Sequence, residues 1–417
     1  MRKFLLFVSG LFFLAVNAEA KRYIVTVQND TRVPVNWEAF VTRSGGEVVK
    51  TYNFIDGALL DLPEEQARRL MDRRAPGMTI EEDKTEYLLD GSSVLDQLNS
   101  QAGAGSSRAA VKKVPQANSV LKKSRPQDNQ GVAVPGNTAA EIEIPWGVTR
   151  ISAPAVWTFT EGAGVKVAVI DTGINFDHED LKANYGGGVN FTYEDTGAMD
   201  GHGHGTHVAG TIAAVRNSRG VVGVAPKAKI YAVKVMSSGG TGERSAVISG
   251  IEWAVENKMN VINMSLGSAE PTEAQHKALK AAYDAGIIVV ASAGNRGPDG
   301  VMSYPARFPE TIAVAALDLN ENVASFSSRG EEVDVIAPGV RIYSTTKDGG
   351  YGYKFGTSMA CPHVSGIAAL ALSAGYDAAT VRNMIKEKAV PVPGLSENEQ
   401  GRGLANALWI NSSGNKK

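Results

Sequence analysis

From Glu141 onward, short and nearly unbroken apolar runs alternate with helical patterns, and this alternation limits the fold more than any other feature of the chain. The runs are Val165–Ile170, Lys229–Val235, Asn260–Ser265, Ile287–Ser292 and Thr311–Ala316. Between them, His204–Val215, Glu243–Asn257 and Thr272–Ala285 carry apolar residues at helical spacing, and the small-residue run Val364–Leu372 follows Ser358. Strands apolar on both faces and separated by helices must be covered on both sides. The reading is an α/β fold with a doubly wound parallel sheet. In such sheets the ligand site lies beyond the carboxyl ends of the strands. The chain has 417 residues, 43% of them hydrophobic and 21% charged, and a net charge of −2, so no electrostatic field draws nucleic acid.

Ahead of this block the chain changes character three times. Arg2-Lys3, the apolar run Phe4–Val16 and Ala18-Glu19-Ala20 read as a cleaved signal peptide over 1–20, and the apolar run is too short to span a bilayer. The expectation is therefore a secreted protein with no membrane anchor. Residues 21–90 pattern as strand, helix, strand, strand, helix, strand, the order of a small α+β ferredoxin-like domain, with Met78–Leu89 read as its last strand. Residues 91–140 lack aromatic residues and hold Lys112-Lys113 and Lys122-Lys123-Ser124-Arg125, the composition of a flexible linker exposed to proteolysis. The main domain then runs over 141–417. A single cysteine, Cys361, rules out an intramolecular disulfide framework.

Several stretches at strand ends or helix starts carry chemistry. Asp171 ends the run Val-Lys-Val-Ala-Val-Ile. Asp200-Gly201-His202-Gly203-His204-Gly205-Thr206-His207 packs three of the six histidines into six residues. That density suits a metal, but the tight helix start at Gly205-Thr206 would send His204 and His207 in different directions. Asn295 follows the buried run ending in Ala291-Ser292-Ala293-Gly294. Ser358 precedes Pro362, which is tolerated only near a helix start, so the helix is predicted to begin close to the serine. There its hydroxyl meets free N–H groups that favour a developing anion. Read singly, each is a turn or cap residue.

Together they resemble the subtilisin family of serine proteases. The matching blocks are Asp171-Thr172-Gly173, His204 to Gly210, Met264-Ser265-Leu266-Gly267, Ala293-Gly294-Asn295 and Gly356 to Ala360. The likeness runs from about Ile144 to Ala407. It implies a serine endopeptidase made as a self-processing zymogen, acting on proteins and peptides and expected as a monomer. Ser358 would be the nucleophile, His204 its base, Asp171 the partner of His204, and Asn295 with the Ser358 N–H the oxyanion donors. Gly240, Gly242, Ser265, Leu266 and Gly267 would flank an extended substrate, with Ala291, Ser292, Ala293 and Gly294 lining the pocket for the residue before the scissile bond. Arg296 is either a rim residue favouring acidic side chains there or a solvated arginine. Structural calcium would be held by Asp180, Asn217 and the main chain of Val215, Arg219 and Val221. The 21–90 domain resembles the family's inhibitor-like propeptide, its Glu81–Leu89 end blocking the cleft as an intramolecular inhibitor.

Overall fold

The computed structural model describes residues 20–28, 35–42, 45–72, 77–89 and 142–412. The expected linker, and all of the expected signal peptide but Ala20, lie outside the described residues. The chain divides into two compact units. One comprises the chain up to Lys84 together with Thr272–Ala278, and the other Thr85–Pro271 with Leu279–Lys417.

In the first unit the elements are β1 (Ala20–Val27), α1 (Trp37–Thr42), β2 (Glu47–Tyr52), β3 (Gly57–Pro63), α2 (Glu64–Asp72) and β4 (Met78–Glu82). The four strands form an antiparallel sheet in the order β2-β3-β1-β4. Two outer strands thus flank the two that face each other, as in a ferredoxin-like sandwich. Alternation explains its core. Tyr23 and Val25 on β1 and Leu60 and Leu62 on β3 meet Trp37, Val41 and Ala67 from the helices. The Glu81 carboxylate accepts the N–H groups of Glu273 (3.0 Å) and Ala274 (3.1 Å), donors at a helix start that have no partner within the helix.

The second unit opens with β5 (Thr85–Leu88). The sequence reading of one strand over Met78–Leu89 is corrected here. β4 and β5 are separate strands, because Thr85–Leu88 finds hydrogen-bond partners in the second unit. The helix α3 (Trp146–Arg150) precedes β6 (Lys166–Asp171), β7 (Tyr185–Asn190), α4 (His204–Ala213), β8 (Lys229–Lys234), β9 (Thr241–Glu243) and α5 (Arg244–Glu256). There follow β10 (Val261–Met264), β11 (Leu266–Gly267), α6 (Glu273–Asp284), whose first half clusters with the first unit, β12 (Ile288–Ser292) and β13 (Thr311–Leu317). The chain continues with β14 (Val335–Pro338), β15 (Ile342–Thr345), β16 (Tyr351–Lys354), α7 (Thr357–Ser373) and α8 (Ala378–Glu387).

Seven strands form one parallel sheet in the order β14-β13-β12-β10-β6-β8-β7. β10, β12 and β13 are buried at every position, which is why they read as unbroken apolar runs. The strand order reverses around β6, and the carboxyl ends of β6, β10 and β12 open on one edge of the sheet. α7 passes through the core, with Thr357–Ala371 all buried, and its small residues let it lie close to the strands.

Pro362 departs from the sequence expectation. It is the sixth residue of α7 rather than a first-turn residue. Its missing N–H leaves the Ser358 carbonyl without its helical donor, and the Ser265 hydroxyl takes that place at 2.9 Å. The predicted helix start beside Ser358 is where the structure has it.

Candidate active site

Asp171, the last residue of β6, is fully buried, and both its oxygens accept from His204 Nδ1, at 2.8 and 2.9 Å. His204 opens α4, and the approach depends on the next residue. A Cβ on Gly205 would lie 2.1 Å from the Gly173 carbonyl and 3.1 Å from Asp171 Oδ1, so only glycine lets the helix start this close to the strand end. Sequence reasoning passed over the role of Asp200. Its Oδ1 accepts from Thr172 Oγ1 (2.8 Å), His202 N (2.9 Å) and Gly203 N (2.8 Å), and its Oδ2 from Thr206 N (2.9 Å) and Thr206 Oγ1 (2.6 Å). One buried carboxylate thus ties the His204 turn to the end of β6. An acidic residue preceding clustered histidines is its only trace in the sequence.

His202 stays beside His204, their ring centroids 6.3 Å apart, whereas His207 diverges from it as the helix start at Gly205-Thr206 predicts. The Nε2 of His207 is set between the carbonyls of Ile342 (3.0 Å) and Gly352 (3.2 Å). Burial lowers its pKa to about 3, and burial likewise lowers that of His363 to about 4. Both rings are neutral in the fold, while an unfolded histidine titrates near 6.5. Their contribution to stability is complete above pH 6.5 and is lost as pH falls toward the folded values. Replacing His363 by Gln is expected to make the fall in unfolding free energy between pH 6.5 and 5 shallower by about 1 kcal/mol per pH unit on average. Urea unfolding at a series of pH values checks this, and an unchanged slope contradicts it.

Ser358 is the second residue of α7. Its hydroxyl donates to the Ser265 carbonyl at 2.9 Å. Asn295, just past β12, is oriented by Thr357, whose N–H and Oγ1 both lie 2.9 Å from Asn295 Oδ1. That arrangement turns Nδ2 outward. The carbonyl oxygen of Leu89 sits between two donors, Asn295 Nδ2 at 2.5 Å and the Ser358 N–H at 3.4 Å. Leu89 N–H in turn donates to the Ser265 carbonyl at 3.4 Å.

The segment leading to Leu89 is the middle strand of a small antiparallel sheet, β11-β5-β9. Glu86 faces Gly242 and Tyr87 faces Thr241 on one side, while Leu266 faces Leu88 and Gly267 faces Tyr87 on the other. Gly240, Gly242, Ser265, Leu266 and Gly267 therefore all lie along an extended peptide. Leu89 is buried, and a Cβ on Gly267 would come within 3.3 Å of its Cδ1. Ala291 and Ser292 close β12, and Ala293 accepts the Ser303 N–H at 2.9 Å. Gly294, at φ +113°, keeps clear of the Ser303 hydroxyl, which an added Cβ would meet at 2.7 Å. Arg296 is exposed. Cys361 is buried, its Sγ 3.2 Å from Asn263 Oδ1, and burial pushes the thiol up to about 12, the state of a packing residue rather than a nucleophile.

The residues proposed for calcium gather around Asp180. Asn217 Nδ2 donates to its Oδ1 (2.7 Å), and Val221 N–H (3.0 Å) and the Tyr351 hydroxyl (2.8 Å) to its Oδ2. Val215 N–H bonds the Asp180 carbonyl at 2.9 Å and Arg219 N–H the Asn217 Oδ1 at 3.0 Å. A carboxylate, an amide and main-chain carbonyls are the oxygen donors a hard cation takes, so the donor chemistry fits. As arranged, however, both Asp180 oxygens are engaged by protein donors. Among the described residues no group of three or more His, Cys, Asp or Glu side chains is placed to hold a metal.

This chain, which carries Asp171 and Asn295 at or just past strand ends and His204 and Ser358 at helix starts of a doubly wound sheet, is a serine endopeptidase. It belongs to the subtilase family, whose sequence profile matches residues 162–405. The chain is 47% identical to Subtilisin Savinase of Lederbergia lenta over 267 residues, 63% of this chain and 97% of that protein. It is 47% identical to an alkaline protease of Alkalihalobacillus alcalophilus over 273 residues, covering 65% and 70%. With Subtilisin E of Bacillus subtilis (strain 168) the identity is 52% over 236 residues, covering 55% and 61%.

Proposed function

We propose that this subtilase is a secreted zymogen that cuts itself between Leu89 and Asp90 and then hydrolyses other proteins and peptides. The observation that carries the reading is the Leu89 carbonyl oxygen lying between Asn295 Nδ2 and the Ser358 N–H, at the end of a strand held on both edges. Those two donors would receive the oxyanion as the carbonyl carbon becomes tetrahedral. Ser358 Oγ attacks that carbon, and its proton passes to His204, for which the hydroxyl must first leave the Ser265 carbonyl. Asp171 holds the ring by Nδ1 and stabilises the imidazolium. The C–N bond then breaks, His204 returns the proton to the leaving amine, and water releases the acyl group from Ser358.

The β-α-β-β-α-β unit and its Thr85–Leu89 tail would act as the inhibitor domain until the cut piece leaves the cleft, and the linker over 91–140 would be trimmed separately from the new amino terminus. Arg2-Lys3, Phe4–Val16 and Ala18-Glu19-Ala20 support export, and no helix among the described residues is long and apolar enough to cross a membrane. The test is covalent. A fluorophosphonate should add one mass equivalent to the matured chain, on the peptide containing Ser358, and abolish casein hydrolysis. Undiminished hydrolysis, or a label elsewhere, contradicts the reading.

Calcium belongs to the same proposal as a lock on the Asp180 loop, in place of disulfides. Asp180 and Asn217 would supply side-chain oxygens, and Val215, Arg219 and Val221 carbonyls. In a chelator-treated Ser358→Ala chain, calcium at a hundred times its dissociation constant is expected to raise the unfolding midpoint by about 5–10 °C. Asp180→Ala should abolish the rise. No shift in the chain that keeps Asp180 removes the ion from the account.

A further inference from the structure

Arg244 is the first residue of α5, directly after β9, and is 2% exposed. Its Nε donates to Glu86 Oε1 at 2.8 Å, and Glu86 is fully buried. Nη2 of the same guanidinium donates to Ser268 Oγ at 3.1 Å and reaches toward the Glu270 carbonyl at 3.5 Å. Ser268 follows β11, so the pocket is built by the chain leaving both strands that flank the bound segment. Counting back from Leu89, whose carbonyl is the reacting group in the proposed function, Glu86 is the fourth residue before the bond that is cut. The side chains between alternate as a strand requires. Leu88 is buried, Tyr87 is 40% exposed and Glu86 is turned fully inward.

We propose that Arg244 makes this protease selective for an acidic residue, glutamate above all, four positions before the scissile bond. The inference rests on the reading of Leu89 as the residue on the acyl side of that bond. Its physical basis is the cost of burying a guanidinium. A carboxylate at this position supplies a short, charge-assisted bond to a cation that the bound peptide otherwise seals from water. An amide accepts the same bond more weakly, an aliphatic side chain leaves the cation facing apolar atoms, and a lysine adds like-charge repulsion. Main-chain pairing along β9 and β11 is indifferent to sequence, so this pocket gives the enzyme a means of choosing among extended segments. The enzyme's own Glu86 is then the first substrate residue so chosen.

The test takes the full chain, expressed and allowed to mature, with quenched peptides built on its own sequence, Thr-X-Tyr-Leu-Leu-Asp-Gly, where X is Glu, Gln, Leu or Lys. Wild-type kcat/KM is expected to be about tenfold higher for Glu than for Gln and on the order of 100-fold higher for Glu than for Lys, with cleavage after the second Leu. Arg244→Glu should reverse the order of Glu and Lys, and Arg244→Met should bring Glu and Gln within about threefold. The wild-type series needs no variant, so a variant that fails to mature does not rescue the idea. Cleavage at that bond with less than a twofold spread among the four peptides overturns the selectivity alone. So does a Glu preference that survives Arg244→Met. No cleavage of any peptide overturns the underlying assignment of Leu89 and this inference with it.

Discussion

Replacing Ser358 by alanine is expected to lower peptide hydrolysis by about 10⁶-fold, a magnitude carried over from the corresponding serine in subtilisin, a relative of this chain. The change removes one oxygen atom from a buried helix start. Lost with it are the proposed nucleophile and the hydrogen bond to the Ser265 carbonyl. The remaining supports of α7 are untouched, including the Ser265 hydroxyl on the Ser358 carbonyl, so the variant should fold. What survives is the binding and oxyanion contribution, on the order of 10³–10⁴ over water. An uncut Thr85–Leu89 strand left in the cleft adds to the loss and does not mask it. A rate within about 100-fold of wild type, by kcat/KM on a peptide ending Glu-Tyr-Leu-Leu-Asp, therefore contradicts the assignment.

Asn295→Leu should cost about 10²–10³ in kcat with little change in KM, again a magnitude known from subtilisin and carried over. The reason lies in how the amide is held. Thr357 donates to Asn295 Oδ1 through both its N–H and its hydroxyl, and this sets Nδ2 toward the carbonyl oxygen before any substrate charge develops. Leucine fills similar volume but offers no donor when that oxygen becomes an anion. The ground-state peptide keeps its strand pairing to β9 and β11, which is why binding should hardly change. Thr357→Val removes the hydroxyl and keeps the N–H, so its loss should be smaller and also fall on kcat. A variant at Asn295 that raises KM at constant kcat would make the amide a binding contact only.

Much of this was legible because the central strands are buried on both faces and carry the site on their ends. β6, β8, β10, β12 and β13 announce themselves as apolar runs, and Asp171 and Asn295 follow two of them. The edge strand Tyr185–Asn190 did not, since three glycines in a row carry no strand pattern. Val335–Pro338 is four residues long and ends in proline, which reads as a turn. What stayed hidden is held together over long separations. The donor that compensates Pro362 comes from Ser265, 93 positions away from the carbonyl it serves, and Arg244 meets Glu86 across 158 positions. Asp200 was visible as a residue but not as five converging hydrogen bonds. The Asp180 loop shows the opposite case: its composition suits a cation, whereas in the fold its own N–H and O–H groups satisfy the carboxylate.

The central claim is that the Leu89 carbonyl lies where a substrate carbonyl reacts. Intact-mass spectrometry of the purified full chain, wild type beside Ser358→Ala, tests it most directly. The account predicts that the wild-type chain separates into two pieces whose new ends are Leu89 and Asp90 before any trimming, and that the variant stays whole. A wild-type chain first cut at another bond, or a Ser358→Ala chain cut in the same way, would contradict it.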